Sequence, residues 1–220
     1  MTIQEERYIK QFQKIKIKQI GKLIDEGMGN RVYEYGKKQV LKIPKISFIY
    51  HPPSLPHAKS DLQIINRYFK DYIQDTEIIT TPKSDYYCII QERITNPRHP
   101  TKNDVALLQD QFDDIVKKNI RLYDRHGDSL DFLGQQGLRE CIYSLVVPWK
   151  KPHLFNIVIS ENKSSERLVI LDIELLRMKE RDQTLRDLRF RFVSTISYFL
   201  NIFFLRYCFG IHIKNNSAEF

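Results

Sequence analysis

The segment from Lys22 to Pro44, KLIDEGMGNRVYEYGKKQVLKIP, constrains the fold of this chain more than any other. Short runs rich in β-branched and aromatic residues are broken by turn residues at Gly27–Gly29 and Gly36–Lys38, so it reads as three consecutive strands. The last of them, Gln39-Val-Leu-Lys-Ile43, is apolar at its centre except for Lys42. An ammonium inside an apolar strand loses its hydration unless an anion meets it. Gly27 and Gly29 let backbone approach a ligand closely, and their N–H groups suit phosphate oxygens. Together these features point to a phosphate-binding hairpin. On its own the hairpin leaves one alternative open, a solvent-facing lysine on an edge strand.

At 220 residues, 42% hydrophobic and 28% charged, the chain has the composition of an ordinary globular protein of one domain or two joined lobes. Its net charge of +8 favours anionic partners, nucleotide phosphate foremost. Nucleic acid is the lesser expectation, because no nucleic-acid motif accompanies the spread of basic residues. Cys88, Cys141 and Cys208 are scattered among apolar neighbours without metal spacing, as in a reducing compartment. Residues 1–20 are charged throughout and carry no secretory pattern, so a cytoplasmic location is expected. The strongest apolar run, 192–205, contains Ser194, Thr195, Ser197 and Asn201 and is short for a membrane span. It is expected as a core helix, with a partner surface or an interfacial helix as the alternative.

The chain changes character once. Residues 1–95 read mostly as strands with one helix, and residues 96–220 as a mainly helical region with one strand pair. A polar, basic lead-in over 3–19 is expected to be helical or half-ordered. Leu62, Ile65, Tyr68, Phe69 and Tyr72 have helical spacing over 58–72. Strands are expected at 76–80 and 86–94, a proline-bearing linker at 95–100, and a long amphipathic helix at 103–125. A loop-rich middle follows at 126–153, then strands at 154–159 and 167–173 and basic helices over 180–208.

Several residues in this order resemble the motifs of the protein-kinase-like superfamily, nearer its aminoglycoside- and choline-kinase branch. Gly27-Met-Gly-Asn-Arg-Val-Tyr is similar to the glycine-rich loop, and Val40-Leu41-Lys42-Ile43 to the strand with the phosphate-binding lysine. Asp61 stands where the helix acid that pairs with that lysine belongs, and Glu92 to Ile94 where backbone meets adenine. Phe155-Asn156-Ile157 resembles the end of the catalytic loop, and Leu171-Asp172-Ile173-Glu174 the metal-binding acid motif. The resemblance implies an α+β fold of two lobes: a small antiparallel sheet with one helix (residues 1–95) and a mainly helical lobe holding the metal-site strand pair (96–220). It also implies ATP held through Gly27, Gly29, Lys42, Asp61, Glu92 and Ile94, and Mg²⁺ held through Asn156, Asp172 and Glu174.

One departure bears on chemistry. The family's catalytic aspartate stands five residues before the metal-binding asparagine, and here that position is Lys151. A charged lysine cannot take the substrate's proton. His153 and Asp131 are the substitute candidates. His126-Gly127-Asp128 spells a kinase-like opening far from Asn156, and Gly127 reads there as a helix cap. The expected function is transfer of the γ-phosphate of ATP to a small-molecule or protein hydroxyl. The alternative is a pseudokinase, a nucleotide-binding module without transfer activity.

Overall fold

The computed structural model describes residues 1–27, 29–45, 54–82, 85–147, 149, 151–162, 165–178 and 185–211. Met28 of the glycine turn, residues 51–53, Lys150, residues 163–164 of the second-lobe hairpin turn and the expected helical start at 180–184 lie outside them. The chain divides into two units, Met1–Gln63 with Ile73–Ile94, and Ile64–Tyr72 with Thr95–Phe220. The architecture is α+β, with a five-stranded antiparallel sheet in the first unit and helices with two small two-stranded sheets in the second.

The first unit opens with α1 (Ile3–Ile9), started by a capping box: the Thr2 hydroxyl accepts from the Glu5 N–H, and the Glu5 carboxylate accepts from the Thr2 N–H. The sheet contains β1 (Ile20–Glu26), β2 (Asn30–Tyr35), β3 (Gln39–Pro44), β4 (Thr76–Thr80) and β5 (Tyr87–Glu92), in the order β1-β2-β3-β5-β4. The helix expected near 58–72 is α2 (Leu55–Phe69), followed by one 3₁₀ turn.

The basic lead-in is part of the core. Tyr8, Ile9, Phe12 and Ile15 pack with Tyr33, Tyr35, Leu41, Ile43, Ile79, Cys88 and Ile90 in one buried cluster. Polar ties fix the contact. The Tyr8 hydroxyl donates to the Tyr87 carbonyl at 2.8 Å and accepts the Tyr87 N–H at 3.1 Å. Glu5 accepts from Arg31 Nη1 at 3.1 Å and from the Tyr33 hydroxyl at 3.0 Å. Burial works to raise the Glu5 carboxyl pKa, but the bonds from Thr2, Arg31 and Tyr33 outweigh it and hold the group below its ordinary range. The Tyr33 phenol is pushed up to about 12, first by burial and then by Glu5.

The second unit contains α3 (Lys102–Leu107), α4 (Gln109–His126), β6 (Asp128–Leu130), α5 (Gly134–Val146), β7 (Ile157–Asn162), β8 (Ser165–Ile170), β9 (Leu175–Arg177) and α6 (Leu185–Phe209). The helix expected over 103–125 is broken at Leu108, whose backbone leaves the helical region at φ −110°, ψ 31°. No Gly or Pro marks that break. The stretch expected as loop-rich contains β6 and α5, because Leu130, Phe132, Leu133 and Cys141 are buried and hold it in place. The expected linker is fastened as well: Arg98 exchanges backbone bonds with Ile159, and its guanidinium bonds Asp104 at 2.6 Å and Glu166 at 2.9 Å.

Gly127 closes α4 in the left-handed region at φ 73°, with its N–H on the Tyr123 carbonyl at 2.8 Å. His126-Gly127-Asp128 is therefore a helix cap leading into β6. The buried Asn119 of α4 fixes that strand, accepting the Leu130 N–H at 2.8 Å and donating to the Ser129 hydroxyl at 3.0 Å. α6 is not a core helix all round. Asn201, Phe204, Leu205 and Phe209 are buried, while Phe192, Phe199, Phe203 and Tyr207 are exposed.

Phe12→Ala is expected to lower stability by about 3–4 kcal/mol in urea unfolding, the scale of a buried aromatic truncation. Ile3→Ala, at an exposed site in the same segment, should be near neutral. A loss at Phe12 below about 1 kcal/mol would show that the lead-in is not part of the core.

Candidate functional site

In the first unit, β3 lies between β2 and β5, with Lys42 opposite Val32 on one side and Ile89 on the other. A strand's period of two sends Leu41 and Ile43 into the α1 cluster and Lys42 to the other face of the sheet. Lys42 is only 9% exposed. A solvent-facing lysine on an edge strand is thereby excluded. Asp61 of α2, in the same unit, is 1% exposed, so it does not stand on an open helix face. Neither group is without a partner. Buried charges of opposite sign in one small unit are retained only where each is compensated.

The glycine turn behaves differently from the simplest phosphate cradle. The Gly27 N–H donates to the Asn30 carbonyl at 3.0 Å, and the Gly29 carbonyl accepts from the Lys45 N–H at 2.8 Å. Gly27's amide is thus engaged in closing the hairpin, and what it can offer a ligand is close approach. At the end of β5, Glu92 is exposed, and its N–H donates to the Asp75 carbonyl at 2.9 Å. Glu92 borders an open pocket of about 550 Å³ with Gln39, Asp75, Lys37 and Lys38, and Ile94 is half-buried just beyond it.

In the second unit two short ladders bring distant residues together. β6 pairs with β9, Leu130 opposite Leu175, and β7 pairs with β8, Ile157 opposite Ile170. Asp131 follows β6, Asn156 precedes β7, and Asp172 stands between β8 and β9, so the ladders gather all three at their ends. Asn156 Nδ2 donates to the Asp131 carbonyl at 2.8 Å, and the Asn156 carbonyl accepts from the Leu171 N–H at 2.9 Å. Asp131 Oδ1 accepts from the Gly134 N–H and from Asn201 Nδ2, each at 3.0 Å. Asp172 Oδ1 accepts from the N–H of the half-buried Glu174 at 3.1 Å.

Burial pushes the Asp131 carboxyl pKa up. The bonds from Asn201 and Gly134 oppose that, the charge of Asp172 adds to it, and the net shift is upward. Burial is the leading cause, and the nearby Asp172 charge is a smaller one.

α5 is pressed against this cluster. Gly134 has φ +63°, and a Cβ there would come within 2.8 Å of Asn156 Oδ1. A Cβ on Gly137 would come within 2.9 Å of the His153 carbonyl. His153 itself is tied to α5, with Nδ1 at 3.1 Å from Glu140 Oε2 and its ring edge-on to Phe155. Of the two substitute acids or bases, Asp131 is the one bonded to Asn156. Asn201 and Gly134 were not expected at the site from the sequence. Asn201 had read only as a polar interruption of an apolar helix.

The donor set suits a hard cation. Two carboxylates and an amide oxygen fit Mg²⁺, which keeps several waters and takes one or two carboxylates from the protein. Because Asn156 gives Nδ2 to Asp131, Oδ1 is the atom it has to offer a cation. Among the described residues no group of three or more His, Cys, Asp or Glu side chains gathers as a metal site, so a thiolate or imidazole site of the zinc kind is not present there.

The chain matches no protein-family model and no curated protein sequence. Among solved structures it is similar to WaaP in complex with acyl carrier protein, at 13% identity over 96% of this chain and 84% of that chain, with a TM-score of 0.41. At that distance no activity or partner transfers from one to the other.

Two outcomes test the geometry. Gly134→Ala is expected to destabilise the protein by about 1–3 kcal/mol, because it meets both a left-handed backbone and the Asn156 amide. Asp131→Asn is expected to raise the melting temperature of the metal-free protein at neutral pH. A carboxyl raised above 3.8 on folding opposes folding once it is ionised, so that penalty grows as pH rises through the folded pKa and vanishes in acid. Melts from pH 4 to pH 7 with a chelator present should show the variant gaining on the wild type as pH rises. An Asp131→Asn protein less stable than wild type at pH 7 contradicts the placement.

Proposed function

We propose that this chain is an ATP- and Mg²⁺-dependent phosphotransferase of atypical kinase-like type, passing the γ-phosphate of ATP to a small-molecule or protein hydroxyl. The observation that carries the reading is the gathering of Asp131, Asn156 and Asp172 in the second unit, with Asn156 Nδ2 on the Asp131 carbonyl. Phosphoryl transfer asks little covalent work of a protein and much placement of charge. Asn156 and Asp172 would hold Mg²⁺, with Glu174 beside them, and the metal would neutralise phosphate charge. Lys42 would meet the α- and β-phosphates, with Asp61 as the acid that offsets its charge. Gly27 and Gly29 would lie over the phosphates, and backbone from Glu92 to Ile94 would face the adenine.

Asp131 answers the difficulty raised by Lys151. The Gly134 and Asn201 bonds to its carboxylate fall on Oδ1, and Oδ2 would be the proton acceptor for a substrate hydroxyl. His153, held by Glu140, is the weaker candidate. A nucleotide-binding module without transfer activity is the second reading, favoured by the lysine at position 151.

A thermal-shift titration with ATP, with and without MgCl₂, tests the binding claim. Saturation at a hundred times Kd stabilises a folded protein by about 2.7 kcal/mol. A metal-dependent rise in melting temperature is expected, lost in Lys42→Ala and in Asp172→Ala. No shift under any condition sinks both readings. If ATP binds, ATP turnover should fall roughly 10²–10⁴-fold in Asp131→Ala, the range for a lost general base. Turnover absent in the wild type, with binding intact, leaves the module.

A further inference from the structure

One face of α6 is left exposed among the described residues of the second unit. Phe192, Ile196, Phe199, Phe203 and Tyr207 recur every three to four residues and are exposed, Phe199 at 64%. That spacing draws one continuous apolar stripe along the helix. α5 lies against α6, where the Ser144 hydroxyl is 3.8 Å from Cys208 Sγ, and adds exposed Ile142, Tyr143, Leu145 and Val146. Trp149, just past α5, is 82% exposed. Singly exposed apolar residues are ordinary, but a continuous stripe of them marks a surface that something covers.

The charges around it indicate what. Arg191 and Arg206 on α6, Arg139 on α5 and Lys151 beyond it are exposed, and residues 191–211 contain no Asp or Glu. The occupant is therefore anionic as well as apolar. A second copy of this chain would set these cations against their own counterparts across the stripe. Arg191–Phe209 is long and apolar enough to cross a bilayer by composition. Its other face is committed, however: Asn201 bonds Leu133 and Asp131, and Phe204, Leu205 and Phe209 are buried. A spanning helix would forfeit all of these contacts. A helix lying in the plane of the interface keeps them.

We propose that the α5–α6 face docks this protein on the surface of an anionic lipid bilayer. The stripe enters the boundary between headgroups and acyl chains, typically to about 5–10 Å, with Trp149 and Tyr207 at headgroup level and the arginines on lipid phosphates.

Co-sedimentation of the full chain with vesicles of phosphatidylcholine alone, or with one quarter phosphatidylglycerol, tests this without nucleotide, so it stands or falls apart from the phosphotransferase reading. Binding to the anionic vesicles is expected, with weaker binding to the neutral ones and at high salt. The double variant Phe199→Asp/Phe203→Asp should lower partitioning at least about tenfold, with its melting temperature unchanged because both sites are exposed. Arg191→Gln and Arg206→Gln should each weaken anionic binding roughly fivefold. Absence of binding to the anionic vesicles, or binding that the phenylalanine pair does not affect, overturns the proposal. So does a concentration-dependent dimer that the same pair dissociates, which would assign the face to a second copy.

Discussion

Asn201 Oδ1 accepts from the Leu133 N–H and its Nδ2 donates to Asp131 Oδ1, each at 3.0 Å, and the residue is buried as it does so. Much of the second unit's polar chemistry rests on this one amide. The turn between β6 and α5 carries backbone donors that water does not serve, and an unserved buried donor costs about 1–3 kcal/mol. By meeting one of them and the Asp131 carboxylate together, Asn201 fixes where Asp131 stands. Asp131 then fixes Asn156 through its carbonyl, and Asn156 holds Leu171, the neighbour of Asp172. Each donor depends on the one before it.

The same chain of contacts joins residues that are far apart in sequence. Position 151, five residues before Asn156, is a lysine. Asn156 Nδ2 instead meets the backbone carbonyl of Asp131, 25 residues upstream, with the whole of α5 between them. Gly134 makes this possible, because the chain turns into α5 through a left-handed residue too close to Asn156 for any side chain. A whole helix therefore separates the two residues in sequence, and the polar cluster closes at its start.

What the sequence made legible follows from periodicity. β1 to β5, α2, β7 and β8 stand close to where alternation and helical spacing put them, since each buries one regular face. Burial of Lys42 was half readable: its apolar neighbours suggested it, but an edge position stayed open until β3 was found between β2 and β5. Burial of Asp61 was not, because a helix shows its buried face only through its partners. Gly134 and Gly137 read as chain breakers, yet they allow close packing at the start of α5. Phe12 and Ile15 were hidden among lysines and glutamines. Asp131 and Asn156 meet through tertiary contacts that no local pattern encodes. The 192–205 run was expected inside, and only half of its circumference is.

α6 also bears on which changes of sequence this protein can accept. Its stripe and its buried amide lie on opposite faces of one helix, kept in phase by an uninterrupted run of turns. Each added or deleted residue rotates everything beyond it by about 100°. An insertion between Phe192 and Asn201 would leave every side chain present and still separate the two faces, swinging the amide away from Asp131. Exchange of one apolar residue for another along the stripe disturbs neither face. This stretch can therefore vary in the identity of its exposed residues, but not in its length.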